Sequence, residues 1–145
     1  MMSFSWEPFG RAGADETQTP APEPAPAAPP AALPGKPARG LAVLTCMDCR
    51  IDPLAVLGLS LGDAVVLRNA GAQVSDDVLR SLAMARDALG VTAVHVIGHT
   101  DCAAHDRDDD AAAAEAQHGV ARIRAVLPDL RARAGLLDMA TGTIR

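Results

Sequence analysis

The chain repeats one unit, a short apolar run followed by a turn and then residues suited to starting a helix. Leu41-Ala42-Val43-Leu44-Thr45 is the first run, Ala64 to Leu67 the second and Val91 to Ile97 the third. Apolar runs this short suit strands buried on both faces, as parallel strands are. Parallel neighbours need long crossover connections, which helices supply. The expected fold is therefore α/β, a small, mostly parallel β-sheet flanked by helices.

Local chemistry marks the helices. Asp52-Pro53 joins an N-cap to a proline suited to the first turn, ahead of Leu54, Val56 and Leu57. Ser75 caps a clearer helix, and Val74 before it is set to pack on Leu79. Val78, Leu82, Ala85 and Leu89 make one apolar stripe that Gly90 is placed to end. Val120 to Leu127 reads as a last helix stopped by Pro128, and Leu136 to Met139 as a closing strand before the turn Ala140-Thr141-Gly142. In the patch Asp106 to Ala116, the charged half is expected to face water and the alanine half to start a helix.

Ahead of the first strand the composition changes. Eight prolines fall in the eighteen residues from Pro20 to Pro37, which removes backbone donors and favours extended states. Residues 1–39 are expected to form a disordered Pro/Ala-rich tail, and residues 40–145 a single domain. Phe4, Trp6 and Phe9 are the only aromatic residues. They belong either to a loose tail or to a docking element. The core must then be built from Leu, Val, Ile and Ala.

A net charge of −5 and the lack of aromatics near the arginines after Val120 argue against a nucleic-acid partner. No apolar run is long enough for a membrane helix. The amino terminus lacks a basic stretch followed by an apolar one, and three cysteines do not suit a disulfide scaffold. The expected setting is cytoplasmic, where thiols stay reduced.

The chemistry sits at two strand ends. The first run finishes on Cys46-Met47-Asp48-Cys49-Arg50 and the third on Gly98-His99-Thr100-Asp101-Cys102. Parallel sheets place ligands just beyond the carboxyl ends of their strands. If these two strands are neighbours, Cys46, His99 and Cys102 converge. Two thiolates and an imidazole suit Zn2+ and leave one coordination position free. Cysteine also packs as a small hydrophobe, and a histidine at a turn can be satisfied locally. Spacing alone leaves metal binding and packing both open. The charged pair Asp48 and Arg50 beside one cysteine favours the metal, because a carboxylate there needs a cation.

Cys46-Met47-Asp48-x-Arg50, Gly62-Asp63-Ala64-x-x-x-Arg68-Asn69-Ala70-Gly71 and His99-Thr100-Asp101-Cys102, in that order, resemble the β-class carbonic anhydrases. The match is to their small single-domain bacterial members, over about residues 41 to 145, and Gly135 to Arg145 is similar to the family's last strand and hairpin. The resemblance implies that Cys46, His99 and Cys102 are zinc ligands in a β-carbonic-anhydrase-like domain over residues 40–145. It implies that Asp48 and Arg50 are an acid–base dyad, with Asp48 a fourth ligand in a closed form. It also implies reversible hydration of carbon dioxide to bicarbonate by a homodimer or higher homo-oligomer. Family members also hydrolyse carbonyl sulfide or carbon disulfide, and a catalytically weak zinc-binding homologue with a redox or interaction role is a further reading.

The chain departs from the family in four places. The proline-alanine stretch stands where an amino-terminal helical segment is usual. Val65 occupies a position that is often His, and Ala103 one that is commonly Gly. Cys49 stands where Ala or Ser is usual, either as a packing residue or as an oxidation-sensitive thiol. His105, close to Cys102, is a candidate proton shuttle or an exposed loop residue. His95 is expected to be packed mid-strand, and His118 to begin a helix.

Overall fold

A computed structural model describes residues 29–145. The aromatic cluster and the first half of the proline-rich stretch, residues 20–28, lie outside the described residues. Within them, Pro30–Ala32 forms one 3-10 turn, and the Ala38 and Arg39 amides donate to the Gly62 and Asp63 carbonyls.

Four strands form one sheet: β1 (Leu41–Cys46), β2 (Ala64–Asn69), β3 (Ala93–His99) and β4 (Arg131–Leu137), in the order β2-β1-β3-β4. Every pairing between them is parallel. The connections carry α1 (Pro53–Val56), α2 (Asp76–Leu89) and α3 (Asp109–Val126). The expected α/β architecture is present. Its central strand β1 is buried along Ala42 to Cys46, as its unbroken apolar run required.

The caps fall where local chemistry puts them. Asp52 accepts from the Leu54 and Ala55 amides, and Ser75 from that of Val78. Gly90 closes α2 in the left-handed region at φ 72°, where a Cβ would be strained. Ala42, Leu44, Val94 and Val96 pack with Val78, Leu82, Val120 and Ile123 on one side of the sheet. Val43, Ile97 and Leu137 form a smaller cluster on the other side, together with Cys46, Ile51 and Cys102. The two buried cysteines therefore belong to the thinner layer, next to the strand tips.

Two boundaries differ from those expected. The helix start expected in the alanine half of Asp106 to Ala116 and the helix expected from Val120 are one continuous helix. It begins at Asp109 and is capped by Asp108, which accepts from the Ala111 amide. Alanine has the highest helix propensity, and Asp109 and Asp110 suit the positive end of the helix dipole. Its inward residues Ala112, Ala116 and Gly119 are too small to mark an apolar stripe, so the first half of the helix escaped periodicity. Consequently His118 lies exposed within the helix and does not begin it. The closing strand starts at Arg131, because Ala132 and Ala134 turn to the core while Arg131 and Arg133 alternate outward. Beyond β4 the chain doubles back, and Leu137 bridges Ile144 in antiparallel fashion.

Candidate metal centre

Adjacent parallel pairing of β1 and β3 brings their carboxyl ends side by side. Cys46 ends β1, His99 ends β3, and Cys102 follows one tight turn later, with Asp101 at φ 54°. The two cysteine sulfurs and a ring nitrogen of His99 lie within 4.8 Å of one another, all three residues buried. The sulfurs are 3.9 Å apart, and neither cysteine is in a disulfide.

His99 carries the sharpest signal for a cation. Its Nδ1 is 2.7 Å from the Thr100 carbonyl, which can only accept, so Nδ1 bears the proton. Nε2 is then left with a lone pair. It is also the one buried side-chain nitrogen or oxygen among the described residues without a hydrogen-bond partner. An orphaned lone pair beside two buried sulfurs is costly unless a cation sits between them. This donor set fits zinc, and the backbone contact at Nδ1 is the outer bond that orients a ligating histidine.

Burial, with Cys46 as a further cause, pushes the Cys102 thiol up, while backbone N–H groups of Ala104 and His105 act against the rise. The Gly71 amide donates to the Cys46 sulfur at 3.3 Å. That donor comes from the 3-10 turn Ala70–Ala72 at the tip of β2, placed there by the register pairing Cys46 with Asn69.

Asp48 and Arg50 form a two-pronged pair beside the triad. Arg50 Nε donates to Oδ1 at 3.0 Å and Nη2 to Oδ2 at 2.7 Å, and the Arg50 amide adds a third bond to Oδ1 at 3.0 Å. These bonds hold the Asp48 carboxyl well below the usual carboxylate range. Arg50 is in turn raised by Asp48 first and by Asp101 second. Asp48 Oδ2 lies 3.9 Å from His99 Nε2.

Sequence reasoning missed the groups that brace this pair. Arg50 Nη1 also donates to Asp101 Oδ2 at 3.0 Å, and Asp101 takes a second arginine, Arg107, on its other oxygen. Arg68 donates to the Cys46 and Asp48 carbonyls at 3.0 and 2.8 Å, fixing the loop that carries the dyad. Arg68 and Gly71 stand in the motif at the tip of β2, but their bonds, from Arg68 to the Cys46 and Asp48 carbonyls and from the Gly71 amide to the Cys46 sulfur, run to atoms that only the register brings near.

A cavity of about 380 Å³ opens over Cys46, Asp48 and Arg50, walled by Met47, Cys49, Ala70, Ala103 and Ala104. A larger one, about 570 Å³, lies between α3 and β4 and contains none of the three ligands. The chemistry assigns the smaller one. Cys49 is exposed at its rim. His105 is partly buried with Nε2 3.2 Å from the Gly71 carbonyl, and His95 is half-buried on the sheet face opposite α2 and α3. No helix among the described residues is long and apolar enough to cross a membrane.

A family model described as carbonic anhydrase matches residues 41–139. Beta-carbonic anhydrase 1 of Mycobacterium tuberculosis is 44% identical over 78 residues, covering 54% of this chain and 48% of that protein. Carbon disulfide hydrolase of Saccharolobus solfataricus is 44% identical over 64 residues, covering 44% of this chain and 31% of that protein. The chain thus spans at most about half the length of the curated relatives it matches. Carbonic anhydrase from Streptococcus mutans superimposes with a TM-score of 0.70 at 28% identity, covering 84% of this chain and 86% of that one. With the family match extending over most of the sheet and both strand tips, the chain belongs to the β-carbonic anhydrase family.

Proposed function

We propose that this protein catalyses the reversible hydration of carbon dioxide to bicarbonate at a zinc ion held by Cys46, His99 and Cys102. The observation that carries this reading is the state of Asp48. Its two oxygens are engaged by Arg50, and its Oδ2 stands 3.9 Å from the His99 nitrogen that faces the ligand sulfurs. A purely structural site with Asp48 as a fourth ligand would need that clamp undone.

The bound ion would supply the Lewis acidity that makes water nucleophilic near neutral pH. Asp48 stays ionised under the grip of Arg50. Its Oδ2 would accept a hydrogen bond from the attacking water and so orient that water's own lone pair toward the substrate carbon. Met47, Ala70, Ala103 and Ala104 give the cavity an apolar wall that suits a linear, uncharged molecule. Three free cysteines suit a reducing, cytoplasmic setting, and the small core suits a homodimer or larger homo-oligomer.

The test is stopped-flow hydration of carbon dioxide from about pH 6.5 to about pH 9, with metal quantified in the same sample. Zinc near one per chain with hydration above the chelated control is the expected result, and Cys46→Ser is expected to lose both. Full zinc occupancy without hydration would leave a metal-binding homologue with a redox or interaction role. Similarity to a carbon disulfide hydrolase, together with the apolar wall, favours one second reading, hydrolysis of carbon disulfide or carbonyl sulfide. Sulfide release assayed beside hydration separates the two.

A further inference from the structure

His105 joins the two turns whose backbone amides serve the two sulfurs. It ends the 3-10 turn Ala103–His105 after β3, and its ring reaches the turn Ala70–Ala72 after β2. Nε2 lies 3.2 Å from the Gly71 carbonyl. A carbonyl only accepts, so Nε2 carries the hydrogen and donates. On the other side of the same residue, the Gly71 amide donates to the Cys46 sulfur at 3.3 Å. The His105 amide also donates to the Cys102 carbonyl at 3.1 Å. One residue is thereby bonded to the Cys102 segment and, through Gly71, to Cys46.

Gly71 admits no substitute in this arrangement. Its φ of +77° is left-handed, and a Cβ there would stand 2.7 Å from His105 Nε2 and 3.1 Å from the Ala104 Cβ. The ring therefore packs directly on the Gly71 backbone.

We propose that His105 is a positioning residue of the metal centre. By holding the Gly71 carbonyl it fixes the backbone of that residue, so that the Gly71 N–H, in the preceding peptide group, stays on the Cys46 sulfur and the two thiolates keep the separation a single ion requires. The inference rests on the metal-centre reading given above. It differs from the shuttle role, which needs a ring nitrogen free to exchange protons with solvent. Outer bonds of this kind typically govern metal affinity by about 10–100-fold.

The experiment uses the full chain with zinc competed against a chromogenic chelator, and cobalt(II) absorption as a second readout. His105→Leu is expected to weaken zinc binding by about 10–100-fold and to shift the thiolate-to-cobalt charge-transfer band. His105→Gln keeps a donor of similar reach and is expected to restore most of the affinity and the band position. His105→Asn has the same amide on a shorter arm and is not, so the Gln and Asn pair decides the matter if the Leu variant fails to fold. Wild-type affinity and an unchanged cobalt spectrum in both His105→Leu and His105→Asn would overturn the proposal while leaving the metal centre intact. Turnover lost in His105→Leu and restored by external imidazole, at unchanged zinc affinity, would overturn it in favour of proton transfer. A wild-type chain that takes up neither ion would remove the metal-centre reading itself and this inference with it.

Discussion

Asp48 Oδ2 sits between two claims, 2.7 Å from Arg50 Nη2 and 3.9 Å from His99 Nε2. The guanidinium holds it, because Arg50 engages both carboxylate oxygens while Asp101 anchors the far side of the same fork at 3.0 Å. Arg50→Gln keeps a polar side chain but loses the charge and the fork. Asp48 is then free to turn toward the ligand cluster. The expected outcome is a loss of about 10²-fold or more in kcat/KM, with metal content at the wild-type level. Metal lost in proportion to activity would place Arg50 in site assembly and not in holding Asp48.

Much of this was legible because the signals were chemically loud. Asp52-Pro53, Ser75 and Gly90 fixed helix ends through local bonds that need no knowledge of the rest of the fold. Cys46, His99 and Cys102 were recognisable since ligating residue types at two strand tips converge whenever those strands pair in parallel. The first half of α3 was legible only as an alanine-rich run able to start a helix, and its continuity with Val120 to Leu127 was hidden because an alanine face offers no contrast with an alanine surface. β4 was silent where its alternation ran Arg-Ala-Arg-Ala. The Gly71 amide and the Arg68 contacts were out of reach, since they depend on the pairing of Cys46 with Asn69.

Small residues on α3 have a structural purpose that a single substitution exposes. Gly98 precedes His99 in β3, and a Cβ placed on it would stand 2.9 Å from the Ala112 carbonyl oxygen of α3. That contact is with backbone, so the helix or the strand must move. Gly98→Ala is expected to lower the unfolding free energy of the metal-free chain by about 1–3 kcal/mol, read from urea denaturation. A change within about 0.5 kcal/mol would mean that α3 does not pack closely on this strand.

His95 predicts a pH dependence away from the metal centre. Burial, with Arg133 as the second cause, pushes its imidazole below the ordinary value, so the folded state resists protonation. As pH falls past about 6.5, the unfolded chain takes up this proton first. The stability tied to His95 is therefore complete above that pH and declines below it, until folded His95 protonates too. His95→Gln is expected to flatten this stretch of the curve, measured as urea midpoints from about pH 7.5 to about pH 5. An unchanged slope would assign the titration to another group.

Metal loading makes a prediction that does not pass through turnover at all. Burial is the main reason the Cys102 thiol is raised, and the neighbouring Cys46 adds to it, so without a cation Cys102 holds its proton at neutral pH. A thiol must ionise to act as a ligand, and the ion's charge reverses the penalty that burial imposed. Zinc binding near pH 7 is therefore expected to expel the Cys102 proton into the buffer. Titration calorimetry in two buffers of different ionisation enthalpy counts the protons released per zinc. Cys102→Ser is expected to lower that count by about one and to weaken binding, since a serine hydroxyl does not ionise in this range. An identical count in the variant would mean that the sulfur of Cys102, although 3.9 Å from that of Cys46, does not take up the ion.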